Sequence, residues 1–259
     1  MSPAAAWLAA LLLGIGGVGC GAGHKQPPVV VIGLDGADFD LIDPWLDEGK
    51  LPHLKAFLDR AAVGKLQTVY PILSPVCWTS AATGVNPGKH GIFDFQKADP
   101  DGGDNPLVET ASNRRANPVW MLLSDEGYRV AVMNVPMTYP PDPVRGKMVS
   151  GFPFPNGDVV ITYPPELQKE LPDYPIDYLG LSLFTRTADE MLRDFYKGLR
   201  ARGDLAEQWA ASGDYDFMWF TFTATDKVQH FFWKDMDPNH PNHDPNSTEF
   251  NNAILDLWK

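Results

Sequence analysis

Val29-Val30-Val31-Ile32-Gly33-Leu34-Asp35-Gly36 is an apolar, β-branched run that ends on a carboxylate. A continuous run of this kind suits a strand buried on both faces of a parallel sheet. It puts Asp35 where that strand leaves the sheet at its carboxyl end, the place where open α/β sheets set their ligands. An acid there can bind a positive partner, a metal ion above all. Taken alone, the same Asp-Gly is also an ordinary turn. Two further segments decide between these readings.

Outward from the run, Leu51-Pro52 predicts the start of a helix, with Leu54, Phe57, Leu58 and Ala61 on one stripe. Strand, turn and helix in that order make a first α/β unit. A second helix is predicted over 116–125, stopped near Gly127, then a strand over 129–135 and another over 147–152. The stretch 136–183 is rich in Pro, Tyr and Gly and is expected to be an insertion or cap. A long helix over 187–209 carries Met191, Leu192, Phe195, Tyr196 and Leu199 on one face. Phe217-Met218-Trp219-Phe220-Thr221-Phe222 reads as a second buried strand. Ser247 is expected to cap a last helix bearing Phe250, Ala253, Ile254 and Leu257. The fold class is therefore α/β, a mostly parallel sheet flanked by helices.

The 259 residues suffice for a sizeable core, and 44% hydrophobic with 21% charged residues argues against disorder. A formal net charge of -12 disfavours nucleic acid as a partner but not a small phosphate ester, because bound divalent cations reverse the local field. Residues 1–28 are different in kind. The apolar, small-residue stretch 4–18 fits an export signal, and Val18-Gly19-Cys20 is similar to the end of a bacterial lipoprotein signal. Two readings stand: export with a lipid anchor through Cys20, in the periplasm or on a membrane, or a short uncleaved anchor.

The second key segment is Thr225-Asp226-Lys227-Val228-Gln229-His230, where Asp226 and His230 are spaced to share one helix face. A carboxylate and an imidazole at a strand end make half of a divalent-metal site. The third is the block from Tyr70 through Leu73-Ser74-Pro75-Val76-Cys77-Trp78 to Thr83-Gly84 and His90-Gly91. A cation favours the alkoxide of a hydroxyl such as that of Ser74, which is otherwise a weak nucleophile. Ser74 also suits a helix cap, and His90 suits a structural role. Cys77, between Val76 and Trp78, is expected to be a buried, inert thiol. His240 and His243 fall in a polar, Pro-rich stretch that reads as a solvated loop.

Together these segments resemble the type I phosphodiesterase/nucleotide pyrophosphatase family of the alkaline phosphatase superfamily, in its predicted-phosphohydrolase subgroup. Asn134-Val135-Pro136-Met137-Thr138-Tyr139-Pro140 is similar to that subgroup as well. The resemblance implies an alkaline-phosphatase-like fold and hydrolysis of phosphate esters with two divalent ions, zinc first, manganese or iron as alternatives. It implies that Ser74 is the nucleophile and a metal ligand. Asp35 would bind the ion that activates this hydroxyl, and Asp226 and His230 the ion that activates water. The chain departs from the family in two ways. Cys77 stands where better-known members carry an Asn, and no Asp-His dipeptide occurs, although the family completes its sites with one. The expectation is the amino-terminal part of a longer hydrolase, with impaired activity in this form. The rival is a non-catalytic exported or lipid-anchored binding domain with a degenerate site. A sulfatase is disfavoured by Val76 and Trp78, where that motif has Pro and Arg, and a phosphomutase by the lack of a large inserted domain.

Overall fold

Residues 27–99, 106–155, 157–171, 174–176 and 186–259 are described by the structure, a computed structural model. The export signal and Cys20 lie outside the described residues. In chain order the elements are β1 (Val29–Leu34), α1 (Phe39–Asp47), α2 (Pro52–Leu58), α3 (Ser74–Thr83), α4 (Pro87–His90), β2 (Gln96–Lys97) and β3 (Leu107–Val108). There follow α5 (Val119–Asp125), β4 (Val130–Met133), β5 (Gly146–Val149), β6 (Thr162–Tyr163), α6 (Ala188–Ser212), β7 (Phe217–Phe222), α7 (Ala224–Met236) and α8 (Ala253–Trp258).

Five strands form the main sheet in the order β1-β7-β4-β5-β6, parallel from β1 to β5, with β6 antiparallel to β5. The expected mostly parallel α/β architecture is present. Alternation along β4 and β7 sends side chains to two layers. Ala131, Met133, Met218 and Phe220 meet Leu205 and Trp209 of α6. Val130, Val132, Phe217 and Trp219 meet Trp120 of α5 and Trp78 and Ala82 of α3. Full burial of each such large side chain contributes roughly 1.5–3 kcal/mol. A third cluster joins α1, α7 and α8 through Trp45, Val228, Phe232 and Ile254, so helices flank the sheet.

Helix α6 starts after Thr187, close to the predicted bound, and the structure adds a reciprocal cap there. The Thr187 side chain accepts from the Glu190 N–H and the Glu190 carboxylate from the Thr187 N–H. Elsewhere the boundaries move. α8 starts at Ala253 rather than after Ser247, because turns occupy 244–252. Of 136–183, expected to be an insertion or cap, the described part joins the main sheet and core. It supplies β5 and β6, and Phe154, Val159, Ile161 and Leu167 are buried in the α6-side core.

The deciding apolar run differs most from expectation. Among the described residues β1 is the outermost strand, paired with β7 alone, and Val30, Ile32 and Leu34 are exposed, Ile32 at 62%. Val31 packs inward, towards Trp78 and Trp219, and Gly33 lies against the Trp78 ring. The physical reason is coverage: α6 lies over β7 and β4 and leaves the same face of β1 open.

Candidate functional site

The β1 and β7 motifs end side by side. Leu34 pairs with Phe222, and the Asp35 N–H donates to the Phe222 carbonyl at 3.0 Å. β7 runs almost directly into α7, so Asp226 stands in the first turn of that helix beside the exit of β1. Thr225 Oγ1 donates to the Asp35 carbonyl at 2.6 Å, and Gln229 Nε2 donates to the Gly36 carbonyl at 2.8 Å. Gly36 has φ +70°, and a Cβ there would lie 2.9 Å from Asp226 Cα. Its lack of a side chain is what lets the Asp35 turn approach α7 this closely.

Asp35 is 7% exposed. Burial first, and the Asp226 carboxylate second, push its pKa up to about 6, against hydrogen bonds from Trp78 and the Gly36 N–H. Asp226 Oδ2 lies 3.3 Å from Nε2 of His230, one turn along α7. That hydrogen bond to Asp226 raises the His230 pKa, opposed by desolvation. Asp35, Asp226 and His230 are thus gathered at one strand end.

Ser74 is carried on α3, the helix that meets Asp35 through Trp78. It is the first residue of that helix; Leu73 holds the cap position and no side chain caps the end. The capping role open to Ser74 is therefore not the one it takes. Its half-buried hydroxyl sits at a helix amino terminus, where the backbone dipoles favour negative charge. Trp78, one turn further and on the same side of α3, donates from Nε1 to Asp35 Oδ1 at 3.1 Å.

Two carboxylates and an imidazole are the donor types that divalent cations such as zinc accept. The fit shows in Asp35 itself: its desolvated carboxylate is pushed towards protonation by a second carboxylate, and a cation would relieve both effects. The set is incomplete, however. Among the described residues no group of three or more His, Cys, Asp or Glu side chains is clustered tightly enough to enclose a metal ion. An open cleft of about 640 Å³ lies beside these groups rather than over them, lined by Gly36, Asp38, Asp40, Gln229, Trp233 and Asp237 among others.

The remaining candidates fall outside the site. His90 is fully buried, with Nε2 2.9 Å from Ser80 Oγ and Nδ1 accepting from the Ile92 N–H at 3.1 Å. Burial holds its pKa below the usual histidine range. His240 and His243 lie in the turns after α7, where His243 Nδ1 is 2.7 Å from the Lys234 carbonyl. Cys77 is a free thiol and is partly exposed rather than buried, its Sγ 3.2 Å from Thr68 Oγ1. Sequence reasoning missed Trp78, Thr225 and Gln229. The signal for Trp78 was its spacing of four from Ser74.

The sequence pattern of the type I phosphodiesterase / nucleotide pyrophosphatase family matches residues 29–259. The chain belongs to this family. Among curated relatives it is similar to venom phosphodiesterase 2 of Crotalus adamanteus, 24% identical over 48% of the chain and 16% of the venom protein. It is also similar to human ectonucleotide pyrophosphatase/phosphodiesterase family member 1, 30% identical over 39% of the chain and 11% of that protein. Among solved structures it shares a fold with phosphonoacetate hydrolase from Sinorhizobium meliloti 1021, with a TM-score of 0.50 at 18% identity. That match covers 90% of the chain and 52% of the hydrolase. The chain thus spans about half of its structural neighbour and a small part of the curated relatives.

Proposed function

We propose that the chain carries the nucleophile-bearing part of a metal-dependent phosphoester hydrolase acting on a phosphodiester or nucleotide-type small substrate. The observation that supports this best is the juxtaposition of Asp35 with Asp226 and His230 at the ends of β1 and β7, tied to the Ser74 helix by Trp78. Asp35, with Ser74, would hold one divalent ion, and Asp226 and His230 a second, zinc in preference to manganese or iron. Such ions supply positive charge that favours the alkoxide and neutralises the phosphoryl oxygens. Ser74 Oγ attacks phosphorus in line and gives up its proton, the bond to the departing alcohol oxygen breaks, that oxygen takes up a proton from solvent, and a phosphoryl group rests on Ser74. Water then attacks the same phosphorus, the Ser74 Oγ–phosphorus bond breaks and the serine regains its proton. The helix amino terminus under Ser74 favours the charge that builds there. Export, with a lipid anchor at Cys20, is supported by the leader sequence; no helix among the described residues is long and apolar enough to cross a membrane.

The test is hydrolysis of a bis-aryl phosphate by the full chain with added zinc or manganese. Chelator is expected to abolish turnover, and Ser74→Ala to lower it by on the order of 10³-fold or more. Full activity in Ser74→Ala would remove the nucleophile assignment. The second reading, a binding domain that keeps the fold without turnover, draws on the incomplete donor cluster. Metal binding without any hydrolysis would favour it.

A further inference from the structure

We propose that Trp78 is a positioning residue for Asp35, and that through Asp35 it sets the affinity of the strand-end site for a divalent cation. The inference rests on the metal-dependent reading above and adds a residue to it. Three observations carry it. The indole Nε1 donates to Asp35 Oδ1 at 3.1 Å, so a buried carboxylate is held in one orientation by a rigid donor. The indole ring also lies against the backbone two residues earlier. A Cβ on Gly33 would sit 2.6 and 2.8 Å from two ring carbons, so the glycine is needed for the ring and not for a turn. Lastly, Trp78 stands one turn after Ser74 on α3, so the same ring fixes the serine-bearing helix against Asp35. Partners that orient a metal-binding side chain in this way are typically worth 10–100-fold in metal affinity.

The experiment is a zinc titration of the chelator-stripped full chain by calorimetry, comparing wild type with Trp78→Phe, which keeps a ring and loses the N–H. The zinc Kd is expected to weaken by about 10–100-fold. The visible spectrum of the cobalt-loaded protein, which reports ligand geometry, is expected to change with it. In an Asp35→Asn background the same substitution is expected to change the Kd by less than about twofold, because the positioned group is gone. A merely structural tryptophan would instead lower the stability of the metal-free protein and leave Kd and cobalt spectrum alone; that result overturns the proposal. Should Trp78→Phe fail to fold, Gly33→Ala displaces the intact indole, and an unchanged zinc Kd in that variant overturns it equally. Wild-type protein that binds no zinc defeats the underlying metal reading, whereas zinc binding that ignores both variants defeats this inference alone.

Discussion

Asp35, with a pKa raised from 3.8 to about 6 chiefly by burial, holds its proton more tightly in the folded chain than in the unfolded one. Between about pH 4 and pH 6 the folded state therefore binds more protons, and stability falls as pH rises through that window. A displacement of this size corresponds to about 2–3 kcal/mol at pH 7 in the metal-free protein. Asp35→Asn is expected to recover most of that amount above pH 6 and to flatten the slope, as measured by urea unfolding at pH 4, 6 and 8. Equal slopes in the two proteins would contradict the assignment. Zinc affinity is expected to fall as pH drops, first through the raised range of His230 above 6.5 and then through about 6 at Asp35, because protons compete with zinc for both side chains. At Gly36, whose Cβ would meet Asp226 backbone and whose φ is +70°, Ala is expected to cost about 1–3 kcal/mol and to weaken zinc binding, checked by unfolding and titration. The Asp35-Gly36 pair was legible in the sequence as a strand-end acid. What closes on that glycine was not, because Asp226 is 190 residues further along the chain.

Elements were readable where local chemistry decides them. The apolar face of Met191, Leu192, Phe195, Tyr196 and Leu199 announces α6, and the apolar hexapeptide from Phe217 announces β7. α1 escaped notice because Pro44 lies inside it, yet Ile42 and Trp45 bury its inner face against α7 and α8. Ser74 shows the limit of local reading in the other direction. Its residue type fits a cap, but Leu73 takes the cap position and leaves the hydroxyl at the helix entrance. Next along the chain, α3 is braced to α4 by the buried Ser80–His90 contact. His90→Ala is expected to cost about 2 kcal/mol or more in thermal unfolding, since Ser80 Oγ and the Ile92 N–H lose their partner in the core. An unchanged Tm would show that this contact does not hold α3 in place.

Across the whole molecule, the order of strands was beyond local pattern. The run of 29–34 has the composition of a central strand and occupies the sheet's edge, because burial depends on which helices lie over a strand and not on its residues alone. Met218 and Ile32 make this measurable: Met218→Ala is expected to cost about 2–5 kcal/mol and Ile32→Ala no more than about 1 kcal/mol, by urea unfolding. Comparable losses would mean that the outer face of β1 is covered in solution. The same long-range assembly brings Asp35, Asp226, His230 and the Ser74 helix to one end of the sheet, and the functional account depends on it. The most direct test is a single turnover of the zinc-loaded chain on a bis-aryl phosphate, quenched in acid and followed by mass analysis of its peptides. A phosphoryl adduct on the peptide containing Ser74, absent from Asp35→Asn, is the expected result; an adduct on another residue, with turnover undiminished in Ser74→Ala, would contradict the account.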